Sequence, residues 1–376
     1  MSYLRIINNF RRSVMRSLTR NIGKSIYIPN LDADNGNIRR VLIIRPNNRL
    51  GNLLLITPLV QEISSLFPNV KIDLFTRGTL AQVIFQNYDN VARVIELPKK
   101  PFKHLINYAA GWLSLRKYRY DLVVNVVRNS SSGRLSTQFT RSRFKIFGDV
   151  DEGMAVQYQD SAHVAKYPVY NLHKYLTLAG YDVTSTAIPT LDLKLTGNEI
   201  KRGEDLLLEL THNYKRTICL FTYATGNKRY SKEWWEAFYS ILKEDFPDDN
   251  IIEVLPAENV SQLSFKIPSF YSTDIRELGA LIANTDVFIG ADSGIMHLAS
   301  AVQTPTVGLF SVTDPHTFGP YGSGSVFIDT NKVPHKAISD AVRSILETEG
   351  ITPTYRTRTR SCIERKQTEQ NHCAGS

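Results

Sequence analysis

Three cysteines, Cys219, Cys362 and Cys373, are all that 376 residues contain. That is too few for a disulfide framework, and Cys219 lies in an apolar run that reads as a buried strand, so a reducing cytoplasm is expected. No stretch reaches the roughly 18–20 apolar residues of a membrane span. The N-terminus also lacks an apolar signal-peptide core with a small-residue cleavage site. The chain is therefore expected neither to be secreted nor to cross a bilayer. Metal-ligand spacing is missing too. Cys362, His372 and Cys373 match no zinc pattern, and the two Asp-x-Asp triplets, Asp32 to Asp34 and Asp149 to Asp151, read as turns. Neither a metal nor a cofactor is expected. No repeat of 20–50 residues is present, which excludes a solenoid.

What is there belongs to a globular protein: 42% hydrophobic and 22% charged residues, with a mean hydropathy of -0.21. The length exceeds what one core normally serves, so two domains are expected. The net charge of +9 is uneven. Residues 1–20 carry Arg5, Arg11, Arg12, Arg16 and Arg20 without an acid, and the C-terminal tail holds Arg356, Arg358, Arg360, Arg365 and Lys366 against Glu364 and Glu369. Charge concentrated at the termini, with no recognisable module, argues against nucleic acid as a partner. Leu4, Ile7, Phe10, Val14 and Leu18 recur at helical spacing, so residues 1–20 read as a basic amphipathic helix suited to an anionic membrane surface.

Turn-forming residues 28–38 separate this helix from a run of short apolar segments alternating with helical patterns. Expected strands are Val41 to Ile44, Val70 to Phe75, Val91 to Leu97 and Leu122 to Val127, with a helix over Leu53 to Leu66. Alternation weakens through residues 149–195, where one helix is expected around Leu172 to Ala179. It resumes with strands at Thr217 to Tyr223, Ile251 to Leu255, Val287 to Gly290 and Thr306 to Phe310. Helices are expected at Ser231 to Lys243, Asp274 to Ala283, Gly294 to Val302 and Lys336 to Glu347. Strands rich in aliphatic residues and separated by helices imply parallel sheets covered on both faces. The expected organisation is α/β: a basic helix and linker (1–37), a Rossmann-like domain (38–190), a second Rossmann-like domain (191–350) and a basic polar tail (351–376). Two such domains would face a central cleft between the carboxyl edges of their sheets, where α/β folds place ligands.

The segment from Phe288 to Gly322, FIGADSGIMHLASAVQTPTVGLFSVTDPHTFGPYG, carries the most chemistry. A strand ends at Gly290, small polar residues turn, and a helix starts near Gly294. Amides of Ser293, Gly294 and Ile295 would be free at a positive helix end, with room for a diphosphate to approach. Asp292 would also serve simply as a helix cap. His297 would equally be a structural histidine, and Trp234 and Trp235 read as packing residues.

Asp292, Ser293, Gly294, His297 and Ala301, followed by Pro305, Phe310, Thr313, Asp314 and Pro315, resemble the fingerprint of glycosyltransferase family 9. That group includes the ADP-heptose:lipopolysaccharide heptosyltransferases. Ser311 departs from it, standing where the family often has glycine. The resemblance extends to VLIIRPNNRLGNLLLITPLVQEISSLFPNVKIDLFTRG near the N-terminus and to Thr225 and Gly226 with Lys232 and Trp234. It covers about Val41 to Gly322.

The resemblance implies a GT-B type architecture and inverting, metal-independent sugar transfer from a nucleotide-diphosphate donor, ADP-heptose by analogy. The acceptor would be a lipid-linked or cell-surface glycan such as lipopolysaccharide, which would place the protein in the cytoplasm, peripherally on the inner membrane. Thr225 and Lys232 would contact donor phosphates while the loop from Ser293 to His297 cradles the diphosphate. On the acceptor side stand Arg49 and Gly51. Family members that transfer heptose carry an acidic residue directly after this glycine, proposed as the general base. Here that residue is Asn52, and an amide accepts no proton near neutral pH. Asp292 and His297, with Asp314 behind them, are the other candidates for the base. Two further readings follow: a homologue that binds nucleotide sugar or glycan without transferring it, and a nucleotide-sugar epimerase of the same architecture.

Overall fold

The computed structural model describes residues 14, 17, 19, 22–25, 38–100, 103–127, 130–149, 152–181, 183 and 187–348. The basic helix expected over residues 1–20, the Asp32 to Asp34 triplet and the tail therefore lie essentially outside the described residues. The chain separates into two compact units, Met1–Pro189 and Thr190–Ser376.

In the first unit the order is β1 (Arg40–Ile44), α1 (Leu50–Leu54), α2 (Thr57–Leu66), β2 (Lys71–Arg77), α3 (Leu80–Phe85) and β3 (Val91–Leu97). Then come α4 (Leu105–Ser114), β4 (Tyr120–Asn125), α5 (Ser131–Phe139), β5 (Ser142–Ile146), α6 (Glu152–Gln157) and α7 (Tyr167–Leu178). The five strands lie in the order β3-β2-β1-β4-β5, and every pairing is parallel. Val41 to Ile44 have no exposed surface, as expected of a central strand covered on both faces. The chain turns in opposite directions from β1 and β4, so the carboxyl ends of these two strands form a topological switch point.

The single helix expected over Leu53 to Leu66 is two helices. Pro58 has no N–H for the Leu54 carbonyl, and its ring would clash with that carbonyl in a continuous helix. The Thr57 hydroxyl takes the vacated acceptor, donating to Leu54 O at 2.8 Å, and Pro58 sits instead in the first turn of α2. Proline likewise starts α7: Pro168 occupies its first turn, so the helix begins five residues before the expected Leu172. Asp149 of the second triplet is tied into the fold. It pairs with Arg134 at 2.9 Å and accepts from Ser25 N at 3.1 Å.

The second unit runs α8 (Gly197–Thr211), β6 (Thr217–Phe221), α9 (Lys232–Asp245), β7 (Asn250–Val254), β8 (Ser269–Phe270), α10 (Ile275–Ala283) and β9 (Val287–Ala291). It continues with α11 (Gly294–Ala301), β10 (Thr306–Phe310), α12 (Pro315–Phe318), β11 (Val326–Asp329) and α13 (His335–Glu347). Its six strands are ordered β11-β10-β9-β6-β7-β8, again all parallel. Cys219 is fully buried in β6. Trp235 is buried with Phe238 and Leu242 in the core, and the half-buried Trp234 packs against that core on Tyr230 and Phe238, so both tryptophans serve packing. Here the switch point falls between β6 and β9, whose carboxyl ends lie side by side.

Candidate functional site

The carboxyl edge of the second sheet gathers three loops. The first leaves β6, where Thr222 is fixed from below: its hydroxyl donates to the buried Glu253 and accepts from Gln262 N at 3.1 Å. Burial pushes the Glu253 carboxyl above its usual range, against the hydrogen bonds from Ser261 and Thr222. The loop then makes a short 3-10 turn, Gly226–Lys228, with Thr225 directly before it and making no side-chain cap. Gly226 adopts φ +67° with open space around its α-carbon, so the turn needs glycine for its backbone conformation rather than for clearance. Lys228, at the end of this turn, reaches across the switch point to Asp292, Nζ to Oδ2 at 3.1 Å.

Asp292 directly follows β9. It is buried, with 6% of its surface exposed, and its backbone N–H continues the ladder to Leu309 O at 3.1 Å. Its Oδ2 also accepts from the Thr313 hydroxyl at 2.7 Å. Thr313 comes from the third loop, after β10, which is pinned by Asn331 donating to Ser311 O at 2.9 Å. One carboxylate thus ties together three loops that are far apart in sequence. A buried carboxylate of this kind requires such charge-assisted partners to offset its lost hydration.

Ser293, not Asp292, caps α11: its hydroxyl accepts from Met296 N at 3.2 Å. The first-turn amides of Gly294 and Ile295 are left to partners outside the helix, and Ser293, Gly294 and Ile295 are half-exposed. His297 is buried within α11. Asp314 caps α12, accepting from His316 N at 3.1 Å, and the Thr317 hydroxyl beside it holds its carboxyl below the ordinary range. A group so held is a weak base. Thr225 and Lys232 are exposed, Lys232 in the first turn of α9 behind its Ser231 cap.

Asp292, Ser293, Gly294 and His297 are therefore contiguous, and Thr225 begins the turn that delivers Lys228. Lys228 is absent from the residues expected from the sequence. Its signal is positional: it lies in the loop leaving the strand end, whereas Lys232 already belongs to the next helix.

Arg49, Gly51 and Asn52 belong to the first unit. Arg49 is exposed just before α1, its N–H donating to Asn47 Oδ1 at 2.8 Å. Gly51 is buried in α1. Asn52 is held by Arg45, another residue not anticipated, at the carboxyl end of β1. The Arg45 guanidinium donates to Asn52 Oδ1 at 2.8 Å and to Asn52 O at 3.3 Å. Burial pulls Arg45 down to about 10, which leaves it charged at neutral pH. At the neighbouring carboxyl end of β4, Asn125 donates to Phe147 O at 2.9 Å.

Two parallel-sheet α/β units, one with a cation, a buried carboxylate and a helix N-terminus at its switch point, define the class of nucleotide-handling α/β proteins. The sequence model of glycosyltransferase family 9 (heptosyltransferase) matches residues 109–344, and the chain belongs to that family of enzymes. Lipopolysaccharide heptosyltransferase 1 of Campylobacter coli is 23% identical over 335 residues, 83% of this chain and 96% of that protein. Lipopolysaccharide heptosyltransferase 3 of Escherichia coli is 24% identical over 300 residues, 73% of this chain and 85% of that protein. The fold is shared with a family 9 glycosyltransferase of Veillonella parvula, at a TM-score of 0.64 and 14% identity, covering 82% and 97% of the two chains. It is also shared with E. coli heptosyltransferase WaaC with ADP, at 0.59 and 17%, covering 81% and 99%.

Proposed function

We propose that the protein is a metal-independent, inverting glycosyltransferase that moves a sugar, heptose by analogy with its relatives, from a nucleotide-diphosphate donor to a lipopolysaccharide or related cell-surface glycan. The reading rests on Lys228, Asp292 and Thr313 meeting beside the N-terminus of α11 in a family 9 chain. In this reaction an acceptor hydroxyl attacks the anomeric carbon, the bond to the diphosphate oxygen breaks, and the nucleoside diphosphate departs with its added charge. A fixed ammonium and free amides stabilise that developing charge without reorganising. Asp292 acts here as the group that orients Lys228, with Ser293, Gly294 and Thr225 along the diphosphate. Residues 1–20 would hold the enzyme on anionic lipid near its acceptor, as a basic amphipathic helix does.

The test is incubation with a panel of nucleotide sugars and purified lipid-linked acceptors, following released nucleoside diphosphate and product mass. Release that depends on acceptor, with the mass of one added sugar, is expected. One observation favours a second reading: Asn52 cannot accept a proton, and its amide oxygen is already engaged by Arg45. Donor binding without any acceptor-dependent product across the panel would favour that reading, a binding protein derived from the enzyme.

A further inference from the structure

Helix α4 is largely apolar, its Asn107 and Ser114 set together along one edge. Tyr108 and Trp112 pack inward against the cluster of Phe75, Leu97 and Leu115, Trp112 meeting Phe75 edge-on at 5.9 Å. Ile106, Ala109, Ala110 and Leu113 fall on the opposite side at helical spacing. Leu105, Ile106 and Leu113 are 62%, 85% and 66% exposed, and the helix has no buried residue. A contiguous exposed apolar surface marks a place of interaction.

Cations stand at both ends of this helix. Lys99, Lys100 and Lys103 precede the helix, and Arg116, Lys117 and Arg119 follow it, all exposed. The last three join Arg141 and Lys145 around a concavity of about 520 Å³ whose lining includes no carboxylate. The cluster is fastened to the helix: Arg116 lies over the Phe139 ring at 5.1 Å, and that ring meets Trp112 at 6.1 Å. Burial, and after it the charge of Arg116, hold Lys145 below the usual lysine range, as expected of cations crowded without a counter-charge.

We propose that α4 and its flanking cations form a docking face for an anionic phospholipid bilayer. The side chains of Ile106, Ala109, Ala110 and Leu113 enter the headgroup boundary, and the lysines and arginines meet lipid phosphates. An apolar centre rimmed by cations complements a bilayer, in which hydrocarbon lies directly beneath a negative layer. This face is separate from residues 1–20 and does not depend on the transfer reaction.

The test is flotation of the full chain with phosphatidylcholine vesicles containing increasing phosphatidylglycerol. Binding should rise with the anionic fraction and fall with salt. The triple variant Arg116→Ala, Lys117→Ala, Arg119→Ala should bind on the order of a hundredfold more weakly. The double variant Ile106→Glu, Leu113→Glu should bind the same vesicles at least about tenfold more weakly and melt at the wild-type temperature, because both side chains face water. Keeping residues 1–20 in every protein assigns any loss to this face. Wild-type binding by either variant, or no binding by the wild type, overturns the proposal. So does a dimer seen by ultracentrifugation that the double variant dissolves while vesicle binding is unchanged, since a second copy then covers α4.

Discussion

Lys228 is where a single side chain separates two placements of the donor phosphates. It already lies 3.1 Å from the Asp292 carboxylate, while Lys232 projects from the first turn of α9. Lys228→Ala is expected to lower kcat/KM for the donor by on the order of 10- to 100-fold, the worth of one charge-assisted hydrogen bond. Lys232→Ala should cost less, and steady-state kinetics showing the reverse order would move the diphosphate toward α9. Asp292→Ala should fall with Lys228→Ala, and the double variant should be little worse than either, because the two residues act as one unit. Asn52 offers a second residue-level test. Arg45 would pair with a carboxylate there as readily as it does with the amide. Asn52→Asp should therefore fold normally and transfer sugar at least as fast; a collapse in turnover would show that the amide itself is used.

At the scale of elements, α8 and α10 are locked together by a glycine and an ion pair. A Cβ on Gly203 would lie 2.1 Å from Ala280 O, a backbone atom that cannot swing aside. Gly203→Ala should destabilise by about 1–3 kcal/mol through overpacking, read from chemical denaturation. Glu199 closes a capping box with Thr196 and also accepts from the buried Arg276 at 2.9 Å. Arg276 holds its carboxyl at about 2, below the ordinary 4.5. Because the folded value is depressed, this stabilisation is fully present above about pH 4.5 and is lost as pH falls toward 2. Glu199→Gln should thus cost about 1 kcal/mol at neutral pH, since solvent screens this partly exposed carboxylate, with the gap to wild type closing over that window. A gap independent of pH would remove the ion pair from the explanation.

Elements differ in how far the sequence discloses them. The central strands are readable because both faces are covered and their residues run nearly continuously aliphatic, as in Val41 to Ile44. Helix α4 is not, because Ile106, Ala109, Ala110 and Leu113 leave its exposed side nearly as apolar as its packed one, which blurs the 3.6-residue alternation. Strand β11 sits at an edge with Val326 and Phe327 exposed, so it lacks the burial signature. The helix N-terminus at Ser293 is legible from small residues after a strand. The Lys228 contact is not, since it joins two strand ends 64 residues apart, and only the strand order brings them together.

For the whole molecule, the open question is what neutralises the diphosphate as it leaves. The second unit places the Lys228 ammonium, paired with Asp292, and the first-turn amides of α11 at the carboxyl edge of its sheet, and the proposed reaction would draw on both to meet the departing charge. Among the described Asp-x-Asp positions, Asp149 is already engaged by Arg134 and by both the N–H and the hydroxyl of Ser25. Those partners hold its carboxyl below the ordinary range despite burial, and a cation placed there would have to displace a guanidinium. Turnover measured in excess chelator should therefore match turnover in buffer, and added magnesium or manganese should leave kcat unchanged. Lys228→Ala sharpens the test. If fixed protein charge does this work, a divalent ion should partly rescue that variant by binding the exposed diphosphate, while doing nothing for wild type. Loss of wild-type activity in chelator, restored by either metal, would show instead that the reaction needs an ion and that Lys228 is insufficient.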